Sequence, residues 1–329
     1  MGSHLYDRLF DAGHEVYGVD DLSGGFMKNV SQKTFFTKLD LRDREKTADY
    51  IGQIKPEIIF HLAADATEGR SQFTPHSAID RNLVAYANLL IPAIKNGFKK
   101  MILTSSMSVY GKQQVPFHEK MIPHPEDIYG ISKSAMEQQT RVLSGVYGFK
   151  YVIIRPHNVY GPRQNLTDPY RNVVGIFINR LLHGKNFYIY GNGKQKRAFS
   201  YIDDVVPAMI KAAFEPKCEG KTINIGSDNP VTLNELSQVV LGEYFQRENF
   251  LEKFKPKYFP NRPQEVKYAY CNHERAKKLL GFRPKTNLRD GVRTMIAWAN
   301  NQGPQPFVYL AKLELEHPQT PKTWKAKLI

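Results

Sequence analysis

A tyrosine and a lysine four positions apart are the residues of this 329-residue chain whose types and spacing point most directly to chemistry. On a helix, Tyr129 and Lys133 lie on one face, so a phenol and an ammonium group would point at the same spot. A free phenol, with a pKa of about 10, is a poor base at neutral pH. A neighbouring cation lowers that pKa, which a proton-transferring tyrosine requires. The pair is a catalytic candidate, although this spacing also occurs in ordinary amphipathic helices.

The elements that must position this pair alternate between apolar strands and helices. Helices are predicted near 43–53, 75–96 and 129–147, and the predicted strands are 15–20, 34–40, 57–64, 100–105 and 150–155. Continuous apolar strands with intervening helices predict a parallel sheet covered on both faces.

Ligands of such sheets bind beyond the carboxyl ends of the strands. Asp20, Asp40, residues 61–64, Ser105 and Ser106 all fall at those ends. The Ser106 hydroxyl can there hydrogen-bond the substrate oxygen that faces Tyr129. The pattern therefore predicts a nucleotide-cofactor crevice at this edge of the sheet.

The sequence changes character after residue 157, where Gly- and Pro-containing loops separate shorter elements. We expect a first domain over 1–157 and a smaller α/β substrate-binding domain over 158–329. Segments near 199–226 are expected to return to the first domain, through a helix over 203–214 and a strand over 221–226. From Gln302 the chain contains four prolines and is expected to wrap over the surface as an irregular tail.

Composition limits the classes of protein to consider. The chain is 41% hydrophobic and 24% charged, which is typical of a globular protein with a sizeable core. It has no apolar run of about 18 residues and no secretory signal. Cys218 and Cys271 form neither a disulfide framework nor a metal set, and the histidines are scattered. A cytoplasmic protein without a bound metal is expected.

The net charge of +14 and the isoelectric point near 9.5 favour an anionic partner. The basic residues are nevertheless spread along the chain, and the densest cluster is 194–197. Spread charge is typical of a solvated surface, and no nucleic-acid-binding module is recognisable. Binding of nucleic acid is therefore not expected.

Taken together, the motifs resemble the extended short-chain dehydrogenase/reductase family, in its NAD-dependent nucleotide-sugar epimerase/dehydratase branch. The resemblance covers roughly residues 2–300 and implies a doubly wound, Rossmann-like sheet. It is carried by segments 20–22, 39–43, 61–64, 82, 104–111, 129–133, 155–162, 191–197, 201–204, 224–226 and 262–263.

The family's glycine-rich turn is present only in part. Its first strand and two of its three glycines have no counterpart, and Gly2 matches the last glycine. The missing strand would lie between the strands at 15–20 and 57–64, so two strand edges are expected to be exposed and the phosphate cradle reduced. Either the sequence is clipped or it has lost tight cofactor binding; the intact motifs downstream favour clipping.

The resemblance implies a cofactor and a substrate site. Asp20 would accept hydrogen bonds from the adenosine ribose, which favours NAD, or would instead cap the next turn. The residues implied at NAD are Gly2, Asp20, Asp40, Leu41, Leu62, Ala63, Ala64, Asn82, Ser105, Tyr129, Lys133 and His157. Packing would explain His157 equally well. Those implied at a nucleotide sugar are Ser106, Asn158, Arg197 and Arg262; the arginines could instead form surface ion pairs.

The implied reaction is inversion at C4 of a nucleotide sugar through a transient 4-keto intermediate, with Ser106, Tyr129 and Lys133 as catalytic residues. Related dehydratases have Asp-Glu where this chain has Met107 and Ser108, which cannot do acid/base work at ordinary pH. The small Ala269 leaves room for an N-acetyl or acidic sugar. Alternatives are a 4-keto reductase or dehydratase, or a non-catalytic relative that binds a dinucleotide or RNA.

The resemblance also implies a homodimer. The helices near 75–96 and 129–147 would pair with their copies. Candidate contacts, which core packing would explain as readily, are Ala85, Leu89, Met136 and Val142.

Overall fold

A four-stranded parallel sheet is the centre of the protein, whose computed structural model describes residues 1–31, 35–246 and 254–329. The strands are β1 Tyr17–Asp20, β2 Phe35–Lys38, β3 Ile58–His61, β4 Lys100–Thr104, β5 Lys150–Pro156, β6 Val159–Tyr160, β7 Tyr188–Tyr190, β8 Lys196–Ala198, β9 Ser200–Tyr201, β10 Lys221–Ile225, β11 Pro230–Thr232, β12 Lys257–Phe259 and β13 Tyr268–Ala269. The α-helices are α1 Gly2–Asp11, α2 Arg44–Ile54, α3 Glu68–Ser71, α4 Pro75–Ile79, α5 Ala85–Lys95, α6 Ile128–Tyr147, α7 Val173–Leu182, α8 Ile202–Phe214, α9 Leu233–Phe245, α10 Glu274–Leu280, α11 Leu288–Gln302 and α12 Lys322–Lys325.

The central sheet has the strand order β10-β5-β4-β3, and each neighbouring pair is parallel. Residues 101–103 and 152–154 are fully buried, as expected for strands that helices cover on both faces. The predicted α/β fold with a parallel sheet is confirmed.

Alternate residues of β4 and β5 face two separate cores. Ile102 and Val152 pack into the larger core, together with residues of α1, α7, α8, α9 and α11. Met101 and Ile153 pack into the other, with residues of α2, α5 and α6. Because side chains alternate across a strand, these apolar runs supply both layers at once.

The helix that carries Tyr129 and Lys133 has well-defined ends. The Asp127 carboxylate accepts a hydrogen bond of 2.7 Å from the Gly130 amide, which caps the N-terminus of α6. Gly148, with φ of +80°, ends the helix in the left-handed conformation that favours glycine. The predicted helix over 75–96 instead consists of α4, a π-helical turn over Asp80–Val84 and α5.

β1 and β2 pair in parallel as a separate two-stranded sheet. Among the described residues, no strand lies between β1 and β3, so each of them has one edge without a neighbouring strand. This agrees with the expectation that two strand edges are exposed. Thr34, the first residue predicted for the second strand, lies outside the described residues.

The second half of the chain contributes to the central sheet and also forms small sheets of its own. β10 pairs with β5, with Lys221 opposite Val152 and Ile225 opposite Pro156. The small sheets have the orders β11-β8-β13, β12-β7 and β6-β9.

Part of the C-terminal tail is buried, whereas the sequence predicts a tail that wraps over the surface. Trp324 is buried, with its ring edge-on to Phe73 and Tyr170. The Arg180 guanidinium donates a 2.6 Å hydrogen bond to the Leu328 carbonyl. Aromatic packing holds the tail although prolines break its secondary structure.

Candidate active site

A cavity of about 1500 Å³ runs along the carboxyl ends of β1, β3, β4 and β5. It also extends between the two sheets, where Gly18 and Phe60 line it. The predicted site residues that line it are Gly2, Asp20, Asp40, Leu41, Leu62, Ala63, Ala64, Ser105, Ser106, Tyr129, Lys133, Asn158, Arg197 and Arg262.

Ser106, Tyr129 and Lys133 meet in the middle of this cavity. The Lys133 ammonium nitrogen lies 5.8 Å from the centroid of the Tyr129 ring and donates a 2.9 Å hydrogen bond to the Thr104 carbonyl. The Ser106 hydroxyl is close enough to the Tyr129 phenol to lower its pKa. An oxygen of a substrate placed between the serine and the tyrosine can therefore contact both hydroxyls.

The electrostatics of this trio differ from the sequence-based expectation. Burial, followed by the charge of Glu68, raises the pKa of Tyr129 above its usual range, and the hydrogen bond from Ser106 opposes that shift. Burial lowers the pKa of Lys133 to about 7, although the charge of Glu137 opposes the change. Because the ammonium is itself desolvated, Lys133 does not bring the phenol into the neutral range as expected.

A buried ion pair fixes α6 against the sheet. The Glu137 carboxylate of α6 accepts hydrogen bonds of 2.7 and 2.6 Å from the Arg155 guanidinium of β5, and one of 2.6 Å from the Ser105 hydroxyl. Burial opposes ionisation, but the bonds and charge of Arg155 keep the pKa of Glu137 below its ordinary value. The Ser105 hydroxyl therefore binds α6 at Glu137, which is one helical turn after Lys133.

The part of the cavity beside β1 and β2 has the features of a dinucleotide site. Asp20 ends β1, and its carboxylate accepts a 2.7 Å hydrogen bond from the Leu22 amide. Asp40 is paired with Arg42 through bonds of 2.6 to 3.0 Å.

The N-terminus of α1, a ten-residue helix, faces the same space. A Cβ atom added at Gly2 would meet nothing within 4 Å. Exposed amides at a helix N-terminus favour a phosphate, and Asp20 suits ribose hydroxyls. These residues therefore fit NAD.

Two residues predicted at the cofactor do not line the cavity. The Asn82 amide donates hydrogen bonds to the Ala78 and Asp65 carbonyls, at 2.7 and 3.2 Å. The His157 ring stacks on His273, with 2.8 Å between their Nε2 atoms. Both side chains contact neighbouring segments of the chain and do not face the cavity.

Two guanidinium groups lie at the opposite end of the cavity. Arg262 and Arg197 approach the Glu265 carboxylate at 3.1 and 3.9 Å, and Arg262 also stacks over the Tyr190 ring at 5.0 Å. The arginines do form ion pairs, as the alternative held, but within the cavity rather than on the surface. A pair of guanidinium groups suits a diphosphate. Asn158 anchors the adjoining loop through a 2.9 Å hydrogen bond to the Ala198 carbonyl.

Sequence reasoning missed two charged residues of the cavity. Glu68 begins α3, and its carboxylate accepts a 2.5 Å hydrogen bond from the Ser108 hydroxyl. Arg171 lies 3.2 Å from the Asp168 carboxylate and lowers the pKa of Tyr129. Glu68 lies in a segment without a recognisable motif, so no sequence signal indicated it. The resemblance implies that segment 165–172, which contains Arg171, lies near the sugar, but it assigns no contacts to that segment.

Within residues 1–31, 35–246 and 254–329, no three His, Cys, Asp or Glu residues are placed to hold a metal ion. No helix of these ranges is long and apolar enough to cross a bilayer.

A parallel α/β sheet with a cavity at the carboxyl ends of its strands defines a Rossmann-like class of protein. Residues 1–226 match the NAD dependent epimerase/dehydratase family, and the chain belongs to that family. The predicted resemblance is confirmed.

Known relatives match most of the chain. It is 33% identical to a UDP-glucose 4-epimerase from Mycolicibacterium smegmatis, over 92% of this chain and 96% of the relative. A crystal structure of UDP-glucose 4-epimerase from Thermotoga maritima with UDP-glucose has a TM-score of 0.84 and 33% identity, over 92% of this chain and 96% of that one. The crystal structure of the Thermus thermophilus UDP-glucose 4-epimerase in complex with NAD has a TM-score of 0.82 and 29% identity, over 90% of this chain and 94% of that one.

We expect Glu137→Gln to reduce the free energy of unfolding by about 3 to 5 kcal/mol, because the buried Arg155 loses its counter-ion. Urea denaturation followed by circular dichroism measures this change. Glu57→Gln is the control, since its ion pair with Lys99 is exposed and its loss leaves stability unchanged. If the Glu137 variant is as stable as the wild type, the ion pair does not hold α6 in place.

Proposed function

We propose that the protein is an NAD-dependent epimerase that inverts C4 of a nucleotide-diphosphate hexose. The observation that carries the proposal is that Ser106, Tyr129 and Lys133 lie together in a single cavity, which Asp20 and two arginines also line. The likeness to UDP-glucose 4-epimerases supports the same reaction.

The residues that fit NAD are Gly2 and Asp20 at its adenosine end and Lys133 at its nicotinamide end. The complex of the Thermus thermophilus relative with NAD supports this cofactor. When bound, NAD accepts a hydride and returns it, and the protein supplies position and proton transfer.

Tyr129 is the base of the reaction. Its phenolate removes the proton of the C4 hydroxyl, while Ser106 hydrogen-bonds the same oxygen. Oxidation at C4 with bound NAD would give a 4-keto sugar, whose oxygen Ser106 and Tyr129 would continue to hold. Once the sugar has turned in the cavity and been reduced on its other face, Tyr129 would return the proton to that oxygen. Nothing is consumed, so NAD need not be exchanged.

Arg197 and Arg262 bind the diphosphate and leave the sugar to point toward Tyr129. Ala269, which lines the cavity, leaves room for an N-acetyl group. A 4-keto reductase built on the same residues would consume NADH with a keto-sugar, whereas an epimerase would not.

The protein forms a homodimer through helices α5 and α6 in this proposal. Ala85, Leu89 and Met136 are buried in the chain's own core and are not available to a partner. An apolar patch nevertheless remains exposed, by 40 to 69%, on the outer face of these helices; it consists of Val84, Ile91, Ile131, Val142 and Val146. Val84, which directly precedes α5, and Ile91 are seven residues apart, and the three residues of α6 are eleven and four apart, so each set lies on one side of its helical segment. A second copy of the chain would cover this patch.

A cytoplasmic location is also part of the proposal. Cys218 and Cys271 are both free and buried, which suits a reducing compartment.

Tyr129→Phe is expected to lower kcat for conversion of UDP-glucose to UDP-galactose by about a hundredfold or more, because the base is lost. Chromatographic separation of the two sugars in the presence of NAD measures the change. Tyr147→Phe is the matched control: it lies on the same helix, its side chain is exposed, and it should keep full activity. Equal activity of the Tyr129 variant and the wild type would refute the proposed mechanism.

Glu68→Gln is expected to move the rise of kcat/KM with pH to lower pH. The reaction requires the phenolate, so activity rises as Tyr129 loses its proton. The charges that face Tyr129 are Glu68 and Asp127, which raise its pKa, and Arg171, which lowers it. Asp127, whose own pKa burial raises to about 7, is kept in both proteins. A shift to higher pH, or none, contradicts this account.

Val142→Glu is expected to convert the dimer to single chains of 37.7 kDa, because a charge in the centre of the apolar patch cannot be buried. Size-exclusion chromatography with light scattering measures the mass. Val308→Glu is the control, since Val308 is equally exposed, at 63%, but lies in the C-terminal tail. A wild type that elutes as a single chain removes the dimer from the proposal.

A further inference from the structure

Glu68 holds a carboxylate inside the cavity, close to the catalytic serine. It follows the loop after β3, and its Oε1 atom accepts the 2.5 Å hydrogen bond from the Ser108 hydroxyl. The Ser108 Oγ atom lies 3.0 Å from the Ser106 Oγ atom. Two hydrogen bonds therefore separate the Glu68 carboxylate from the group that is proposed to orient the C4 oxygen.

The position of Glu68 is between the two ends of the proposed sugar site. On one side its charge acts on Tyr129, and on the other it acts on Arg197 and Arg262. The adjoining residue, Gly69, is so close to Arg262 that an added Cβ would lie 3.1 Å from a guanidinium nitrogen. A hexose that spans from the arginines to the phenol must pass beside this carboxylate.

The charge of Glu68 is not neutralised by an ion pair. Three other carboxylates that line the cavity are paired, Glu265 with Arg262, Asp168 with Arg171 and Glu126 with Lys112. Asp127, which has no ion pair among the described residues, accepts a hydrogen bond from the Gly130 amide instead. Across the part of the chain that the structure describes, Glu68 has no cation within 4 Å, and its side chain is exposed to the cavity. The sugar therefore meets a full negative charge.

We propose that Glu68 is a specificity-determining residue that selects nucleotide hexoses with neutral hydroxyl or acetamido groups and rejects nucleotide uronates. A carboxylate accepts hydrogen bonds from O–H and N–H groups of the sugar. It repels the carboxylate of a uronate, and salt screens this repulsion. The proposal rests on the proposed epimerase function and narrows its substrate class.

The test compares kcat/KM for UDP-glucose, UDP-N-acetylglucosamine and UDP-glucuronate in the wild type, Glu68→Gln and Glu126→Gln. The wild type is expected to favour its better neutral sugar over the uronate by about tenfold to a hundredfold. Glu68→Gln, which keeps shape and removes charge, should shrink that ratio by about tenfold or more, and most at low ionic strength. Glu126→Gln should keep the wild-type ratio, because that carboxylate is already neutralised by Lys112.

The outcomes separate the two levels of the proposal. A wild type that is inactive on all three sugars overturns the epimerase function, and the selection with it. A wild type that converts UDP-glucuronate as well as UDP-glucose, or a Glu68 variant with an unchanged ratio, overturns the selection alone. If Glu68→Gln is inactive, calorimetric binding of the three sugars gives the same ratio, and an unchanged binding ratio also counts against the selection.

Discussion

The buried pair of Glu137 and Arg155 is the interaction on which the arrangement of the site depends. It joins the centre of α6 to β5, and through Ser105 it also reaches the end of β4. Burying two charges is costly, and the cost is offset only when the geometry and the remaining hydrogen bonds are good. Because Lys133 is one turn from Glu137, and Tyr129 one turn further, a shift of this pair would move both reactive groups relative to Ser106. The ion pair thus specifies a position rather than adding stability for its own sake.

Charged groups of both signs line the cavity. Phosphate-binding features lie at both ends, at the N-terminus of α1 and at the Arg197 and Arg262 pair. The desolvated Lys133 ammonium lies 5.8 Å from the Tyr129 ring, and the Glu68 carboxylate raises the pKa of that tyrosine. The protein alone therefore does not hold Tyr129 ionised. A positively charged nicotinamide ring beside the phenol would favour the phenolate, and this couples cofactor binding to the readiness of the base.

The sequence was sufficient to predict the central sheet and α6, and most of the predicted site residues do line the cavity. Buried parallel strands such as β4 and β5 are continuous apolar runs, and the Tyr129 and Lys133 spacing has a direct geometric meaning. The direction of the His157 side chain could not be predicted, because its partner, His273, is distant in the chain. Asn82 turns away from the cavity because its amide bonds the Ala78 and Asp65 carbonyls. Glu68 carries no local pattern, and its role depends on Ser108 in another loop. Proline content suggested a superficial tail, whereas long-range aromatic contacts of Trp324 decide its burial.

The two-stranded sheet of β1 and β2 has a consequence for local stability. Both strands are only partly buried, whereas β4 and β5 are almost completely buried. Two strands alone are marginally stable, so this region should open at a lower free energy than the centre. Its amide protons should exchange with solvent faster than those of β4. A dinucleotide that holds Asp20 would slow that exchange, because a ligand that binds only the closed form stabilises it by mass action.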